Sequence, residues 1–274
     1  MKKFSITSYT TALISSAFIL SSNAIANSEM TKANTFEGFH MGTSFGINKA
    51  NGSSEMLLNI VGNMLGSNNG GNILSKANQD QIGIIGGLNF GYDYFLGDYF
   101  VGFEVGGDLS TLKGKRHYEE THPQTLSNNL IKLSMDFSSR FKNGISAGLR
   151  AGMLLSNDVL AYGHIDWLGS KFHASNKLVL TQTQSGSPVQ TQTAFLVKKT
   201  KLLSGARFGL GIAKAVTPQM QIGLDLAYSI YEKMGRTVNL TPGNTTSPVL
   251  ASFKFKPQTF ESRIFMKYKF EGIS

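Results

Sequence analysis

Past its first few dozen residues the chain alternates apolar and polar positions with a period of two. That is the repeat of a β-strand whose two faces meet different surroundings. Phe39, Met41, Thr43, Phe45 and Ile47 alternate with Gly38, His40, Gly42, Ser44 and Gly46. The same pattern recurs over 82–94, 99–109, 145–153, 161–167, 206–212, 222–228 and 260–270. It predicts eight strands, each close to the ~9–11 residues that a tilted membrane-crossing strand needs.

The connections come in two sizes. Short ones fall at Leu96-Gly97-Asp98, Ser156-Asn157-Asp158 and Thr217-Pro218-Gln219; long ones cover 49–80, 113–128, 173–200 and 232–258. Short turns alternating with long loops predict an all-β, eight-stranded antiparallel transmembrane β-barrel, with long extracellular loops and short periplasmic turns. Residues 130–141 disturb the count. They also alternate, and Lys142-Asn143-Gly144 reads as a hairpin turn. Nine strands would leave the termini on opposite sides. We therefore expect 130–141 to extend the second loop outward as an extracellular hairpin; a ten-stranded barrel with one strand unseen is the alternative. Met56, Leu57, Ile60, Val61, Met64 and Leu65 recur at helical spacing, and 55–66 is expected to form a small amphipathic helix or a buried loop core. The Gln-, Thr- and Ser-rich tract 182–193 is expected to be an exposed loop tip.

Alternation alone does not say which face is inside. Three features put the polar face in the lumen. Glycines crowd it, as at Gly42, Gly87, Gly102, Gly148 and Gly209, which makes room for long side chains in a narrow barrel. It carries both signs of charge: Glu37, Glu104, Asp108, Asp166 and Asp225 against Arg150, Arg207, Arg263 and Lys267, with His164 beside Asp166. Charges enclosed together must pair. The opposite face places Tyr92, Tyr94, Tyr99, Trp167, Tyr228 and Tyr268 near strand ends, as interfacial girdles require.

Composition narrows the picture further. Of 274 residues only 16% are charged, 30 are Gly, and none is Cys. The missing Cys excludes disulfides, thiol nucleophiles and a lipidated N-terminus. The N-terminus explains the one apolar run. Lys2 and Lys3 precede a segment centred on Ala12 to Leu20 that ends at Ala24-Ile25-Ala26, a small-x-small site. Residues 1–26 are expected to be a secretory signal peptide cleaved after Ala26, with 27–274 forming the barrel domain.

With these residues in view, a family resemblance appears. Residues 84–92 (IIGGLNFGY), then 101–110 (VGFEVGGDLS), resemble the second and third strands of the opacity-like outer-membrane β-barrel family. Gly148-Leu149-Arg150-Ala151-Gly152 with Leu160-Ala161-Tyr162-Gly163 is similar to its fourth and fifth. The segment 264–270 resembles its aromatic last strand, in which Tyr268 and Phe270 would be read by the barrel-insertion machinery. The resemblance spans 36–270 and implies a closed surface barrel in a Gram-negative outer membrane, often an antigen or adhesin. Glu271 to Ser274 and the 130–141 insertion depart from it.

Candidate chemistry is sparse. His173-Ala174-Ser175-Asn176 resembles the His-x-Ser-Asn segment of lipid A deacylases. A His-activated Ser needs an orienting carboxylate, and no Asp or Glu occurs between Asp166 and Asp225. His164 and Asp166 face the same way and are expected to join a lumen hydrogen-bond network. His117 and His122 flank Glu119-Glu120 in the second loop. Lys113, Lys115 and Arg116 with Lys198, Lys199 and Lys201 make the extracellular side basic, suited to lipopolysaccharide phosphates or anionic host glycans. The expected role is a plugged surface barrel acting in adhesion, antigen display or envelope structure, without catalytic residues, metal or cofactor. Its expected partners are outer-membrane lipids, lipopolysaccharide, the insertion machinery and host surface molecules, not nucleic acid. A small channel and a lipid A-modifying enzyme are the alternatives.

Overall fold

The computed structural model of the chain describes residues 36–60, 71–123, 130–183, 190–239 and 249–270. The expected signal peptide, residues 61–66 of the expected helix and residues 271–274 lie outside them. Ten strands follow one another: β1 (Gly38–Ile60), β2 (Gly71–Leu96), β3 (Tyr99–Ser110), β4 (Lys113–Pro123), β5 (Leu130–Ser156), β6 (Val159–Thr183), β7 (Gln190–Ala215), β8 (Met220–Tyr231), β9 (Met234–Asn239) and β10 (Val249–Lys269). Eight of them close an antiparallel ring in the order β1-β2-β3-β5-β6-β7-β8-β10, with β10 hydrogen-bonded back to β1. Closure leaves the membrane section without an unpaired edge.

The turns obey local chemistry. The β2–β3 hairpin turns at Gly97, whose φ of 67° is the left-handed region that glycine reaches without strain. In the β5–β6 turn the Ser156 hydroxyl donates to Asp158 Oδ1 at 2.8 Å. Before β8, Thr217 Oγ1 accepts from the Met220 amide at 3.0 Å.

The ring's outside is apolar. Leu109, Leu149 and Leu210 are each about 70% exposed, while Arg150 on the inside is 4% exposed and Lys267 3%. Only a surrounding apolar solvent makes that arrangement favourable. From Tyr99 to Leu109 on β3 the outward residues rise ten positions, a height of roughly 25 Å once the usual strand tilt is applied, which matches a barrel's apolar band. Tyr94, Tyr99 and Tyr268 rim the turn end; Trp167 and Tyr228 rim the other.

Four expectations are corrected here. First, Lys142-Asn143-Gly144 is no hairpin turn: 130–141 is the outer half of the continuous strand β5 and the second arm of the hairpin it forms with β4. Lys142-Asn143-Gly144 is a register shift, where Phe141 pairs with Phe172 and Gly144 with Ser170, so that two residues oppose Lys171 alone. The segment does extend the second loop outward, paired with β4. Second, 55–60 is strand, not helix, within β1. Third, most of the four long connections is ladder. β5, β6 and β7 run 25–27 residues, far beyond what a bilayer needs. Fourth, in the 182–193 tract, residues 182–183 and 190–193 belong to β6 and β7.

Above the membrane the ring opens into two facing sheets. One is β9-β10-β1-β2, the other β4-β5-β6-β7; among the described residues no ladder joins β2 to β4 or β7 to β9. Inside and outside exchange character at this level. On β6 the inward residues change from His164 and Asp166 to Leu168, Phe172 and Leu178, while the outward ones change from Ile165 and Trp167 to Lys171 and Lys177. The chain has passed from lipid into water, and the hydrophobic effect reverses its preferred face.

The interior is therefore layered. At the turn end Phe36, Phe95, Phe100, Leu154, Leu160 and Phe265 form one apolar cluster. At the opposite end Phe137, Phe141, Phe172, Leu203, Met234 and Phe255 form another, with Phe172 and Phe255 stacked at 4.9 Å. Ionic side chains fill the space between.

Candidate functional site

The ionic layer consists of two linked groups. In the upper one Asp108 from β3 receives both Nη atoms of Arg263 from β10, at 2.6 and 3.1 Å, and Nη1 of Arg207 from β7 at 3.2 Å. Glu261 takes Arg263 Nη2 at 2.5 Å and Nε at 3.1 Å. Arg207 Nε donates to Asp166 Oδ2 at 2.6 Å. His164 then sits between Asp166, 2.9 Å from Nδ1, and Asp225, 3.1 Å from Nε2. The Tyr162 hydroxyl donates to Asp225 at 3.1 Å.

The lower group is centred on Glu104. Arg150 Nη1 reaches it at 3.2 Å, Lys267 Nζ pairs with the same oxygen, and Asn89 Nδ2 donates to the other at 2.7 Å. Arg150 Nε lies 3.1 Å from Asp93, and its guanidinium covers the Tyr162 ring at 4.7 Å, tying the two groups together. Charges this deep persist because each has an opposite partner. The free space among Ser44, Glu104, Arg150, His164, Arg207 and Lys267 is about 50 Å³, room for a few waters at most.

Nine of the ten expected lumen residues meet here. Glu37 does not: it precedes β1 and makes no ion pair among the described residues. His40, Asp93 and Glu261 belong to the network but were not singled out among the sequence candidates. His40 lies 3.6 Å from Asp93 and 3.5 Å from Glu104. All three occupy the polar parity of their strands, a signal present in the sequence. Glycines give these side chains their room: a Cβ at Gly209 would strike the His164 ring, and one at Gly87 the Asp108 carboxylate.

The loop candidates fare differently. His173 and Ser175 point outward from β6, on the face opposite the core. His173 Nδ1 meets Thr200 Oγ1 at 2.8 Å, and among the described residues no carboxylate holds it. His117 sits 2.7 Å from Asp136 and 3.6 Å from Glu119. The Asp136 hydrogen bond is the main cause that raises the His117 imidazole above its usual 6.5. Lys199 and Lys201 face the β7–β9 seam. Lys199 Nζ donates to the Gly235 carbonyl at 3.0 Å, and Lys201 Nζ to Glu232 at 2.9 Å, which holds that carboxyl below its usual range. Tyr268 lies on the outer surface, edge-on to Phe270 at 5.7 Å, and the Phe270 amide donates to the Phe39 carbonyl at 2.9 Å.

The chain has the fold of an eight-stranded transmembrane β-barrel. Solved barrels resemble it at a distance. The outer membrane protease OmpT from Escherichia coli is 11% identical, with 84% of this chain and 97% of that one covered and a TM-score of 0.41. OprG from Pseudomonas aeruginosa is 11% identical over 87% and 100%, with a TM-score of 0.44. Ail, the attachment invasion locus protein of Yersinia pestis, is 14% identical over 82% and 99%, with a TM-score of 0.26. No family model and no curated protein matches the chain. Likenesses this distant carry nothing about its activity, and the barrel rests on its own closed ladder.

Proposed function

We propose that the protein is a non-conducting barrel of the outer membrane whose working part is the two-sheet extension, used for surface binding and envelope structure. The observation that carries this reading is the closed lumen: two apolar clusters bracket an ionic layer with room for only a few waters. Ions would have to cross both dry layers and displace paired charges, each at a cost of several kcal/mol.

Export by the 1–26 segment, with cleavage after Ala26, and docking of the Tyr268–Phe270 strand end on the insertion machinery complete the proposal. We read the role as non-enzymatic: His173 Nδ1 is taken up by Thr200, and among the described residues no carboxylate meets the ring to orient it as a base for Ser175. The test is a planar-bilayer recording of the purified mature protein beside protease treatment of intact cells. Silent bilayers and cleavage confined to the extension are expected. Steady conducting steps would overturn the closed-lumen reading, and cleavage at 97–98 or 156–158 on intact cells would overturn the orientation.

A further inference from the structure

The outer face of the β4-β5-β6-β7 sheet gathers cations that are scattered in sequence. Its ladders put Lys113 opposite Arg140, and Arg140 opposite His173. In the next row outward, Lys115, Ser138, Ser175 and Lys198 are neighbours. One row nearer the membrane, the register shift in β5 sets Lys142 against Lys171. Lys113, Lys115, Arg140, Lys142, Lys171 and Lys198 are all exposed, and none makes an ion pair among the described residues. These three rows hold no acid; Asp136 and Glu119 follow in the next two rows outward, where His117 meets both and Lys132 pairs with Glu119. Like charges directly opposite on a ladder destabilise it, so this face calls for an anion from outside.

The height says which anion. Lys171 lies four residues above the girdle Trp167 on the same strand, roughly 10 Å further from the bilayer centre. That is headgroup level. Directly below, the exposed side chains of Ile145 and Trp167 close over Gly169, and exposed Leu202 lies opposite Lys171. The opposite sheet lacks this bias, since Lys49, Lys254 and Lys256 share its outer face with Glu55 and Asp80.

We propose that this face binds the phosphates of outer-leaflet lipopolysaccharide, with acyl chains lying against the exposed Ile145, Trp167 and Leu202. The inference rests on the reading of the extension as the cell-surface end, and it deepens the binding role by naming a lipid partner. Bulge and sheet register are what assemble the site: Arg140, Lys142 and Lys171 come from parts of the chain with no basic run of their own.

The test uses full-length mature protein in detergent and two probes, lipid A with both phosphates and the same lipid A after dephosphorylation. Trp167, the one tryptophan of the chain, reports binding by its fluorescence. Phosphorylated lipid A is expected to bind and the dephosphorylated form to bind at least about tenfold more weakly. Arg140→Gln with Lys171→Gln should produce a similar loss, and Lys254→Gln with Lys256→Gln none. Should the double variant fold poorly by circular dichroism, each single substitution is measured instead. Equal binding of both lipids, or an equal loss in the Lys254/Lys256 pair, would overturn the proposal. Bilayer silence is independent of every one of these outcomes, so the two readings fail separately.

Discussion

Arg263 and Asp108, 155 positions apart, join β10 to β3 through a two-pronged ion pair across the lumen. Two further strands, β1 and β2, lie between them along the wall. The pair is a strut across the barrel rather than a ladder contact, and Asp108 also anchors Arg207 from a third direction.

Removing that carboxylate leaves two buried guanidinium groups short of a partner. Asp108→Ala should cost about 3–5 kcal/mol, the usual penalty for breaking a buried pair from one side. Asp158→Ala, which loses an exposed contact to Lys214 at 3.7 Å and the exposed Ser156 hydrogen bond at 2.8 Å, should cost about 1 kcal/mol at most. Reversible urea unfolding in lipid vesicles measures both. Equal midpoints for the two variants would show that the strut contributes nothing.

Glycine positions separate the two faces of the wall. A Cβ at Gly148 would press on the Asp166 carboxylate and on the backbone carbonyl of Ile165, which has nowhere to go. At Gly163, on the lipid side, it would meet Leu210 Cδ2 at 3.5 Å and the Gly209 carbonyl at 3.7 Å, both ordinary contacts. Gly148→Ala should therefore lose about 1–3 kcal/mol and Gly163→Ala almost nothing. The same unfolding assay would refute this if the lipid-side variant were the weaker one.

The membrane section was legible in the sequence because lipid outside and charge inside keep one parity for ten residues. The network was legible for the same reason, and His40, Asp93 and Glu261 needed only that parity applied to every strand. The extension was not legible because its strands change phase. On β10 the inward residues pass from Phe253 and Phe255 to Glu261 and Arg263, and the outward ones from Lys254 and Lys256 to Phe260 and Ile264. A reader following one apolar stripe sees it end there and infers a loop. On β5 the extra residue at Lys142-Asn143 shifts the parity as well, so a continuous strand resembles two joined by a turn. The basic face was only half visible, since pairing, not sequence proximity, brings Lys171 and Arg140 beside Lys113.

His117 gives the extension a pH dependence. Its contacts with Asp136 and Glu119 favour the imidazolium, so its midpoint lies above the ordinary 6.5. The stabilisation they lend the β4–β5 pairing is present below the unfolded-state value and fades as pH rises through the higher folded-state one. Proton NMR of the imidazole in micelles should show the raised midpoint, and Asp136→Asn should bring it back toward 6.5. A midpoint unmoved by that substitution would break the link to β5.

The two apolar clusters act in series, and this decides how a leaky variant behaves. Phe172 is fully buried between Phe141, edge-on at 4.8 Å, and Phe255, stacked at 4.9 Å. Phe172→Ala should cost about 3–5 kcal/mol in the extension. It should leave bilayers silent all the same, because the Phe95 and Phe100 stack at 5.3 Å closes the turn end and the ionic layer keeps its partners. Truncating Phe100 alone should likewise give no current, although it strips the Arg150 guanidinium of an aromatic neighbour at 5.1 Å. Conducting steps in either single variant would mean that one cluster is the whole barrier and that the ionic layer already admits ions.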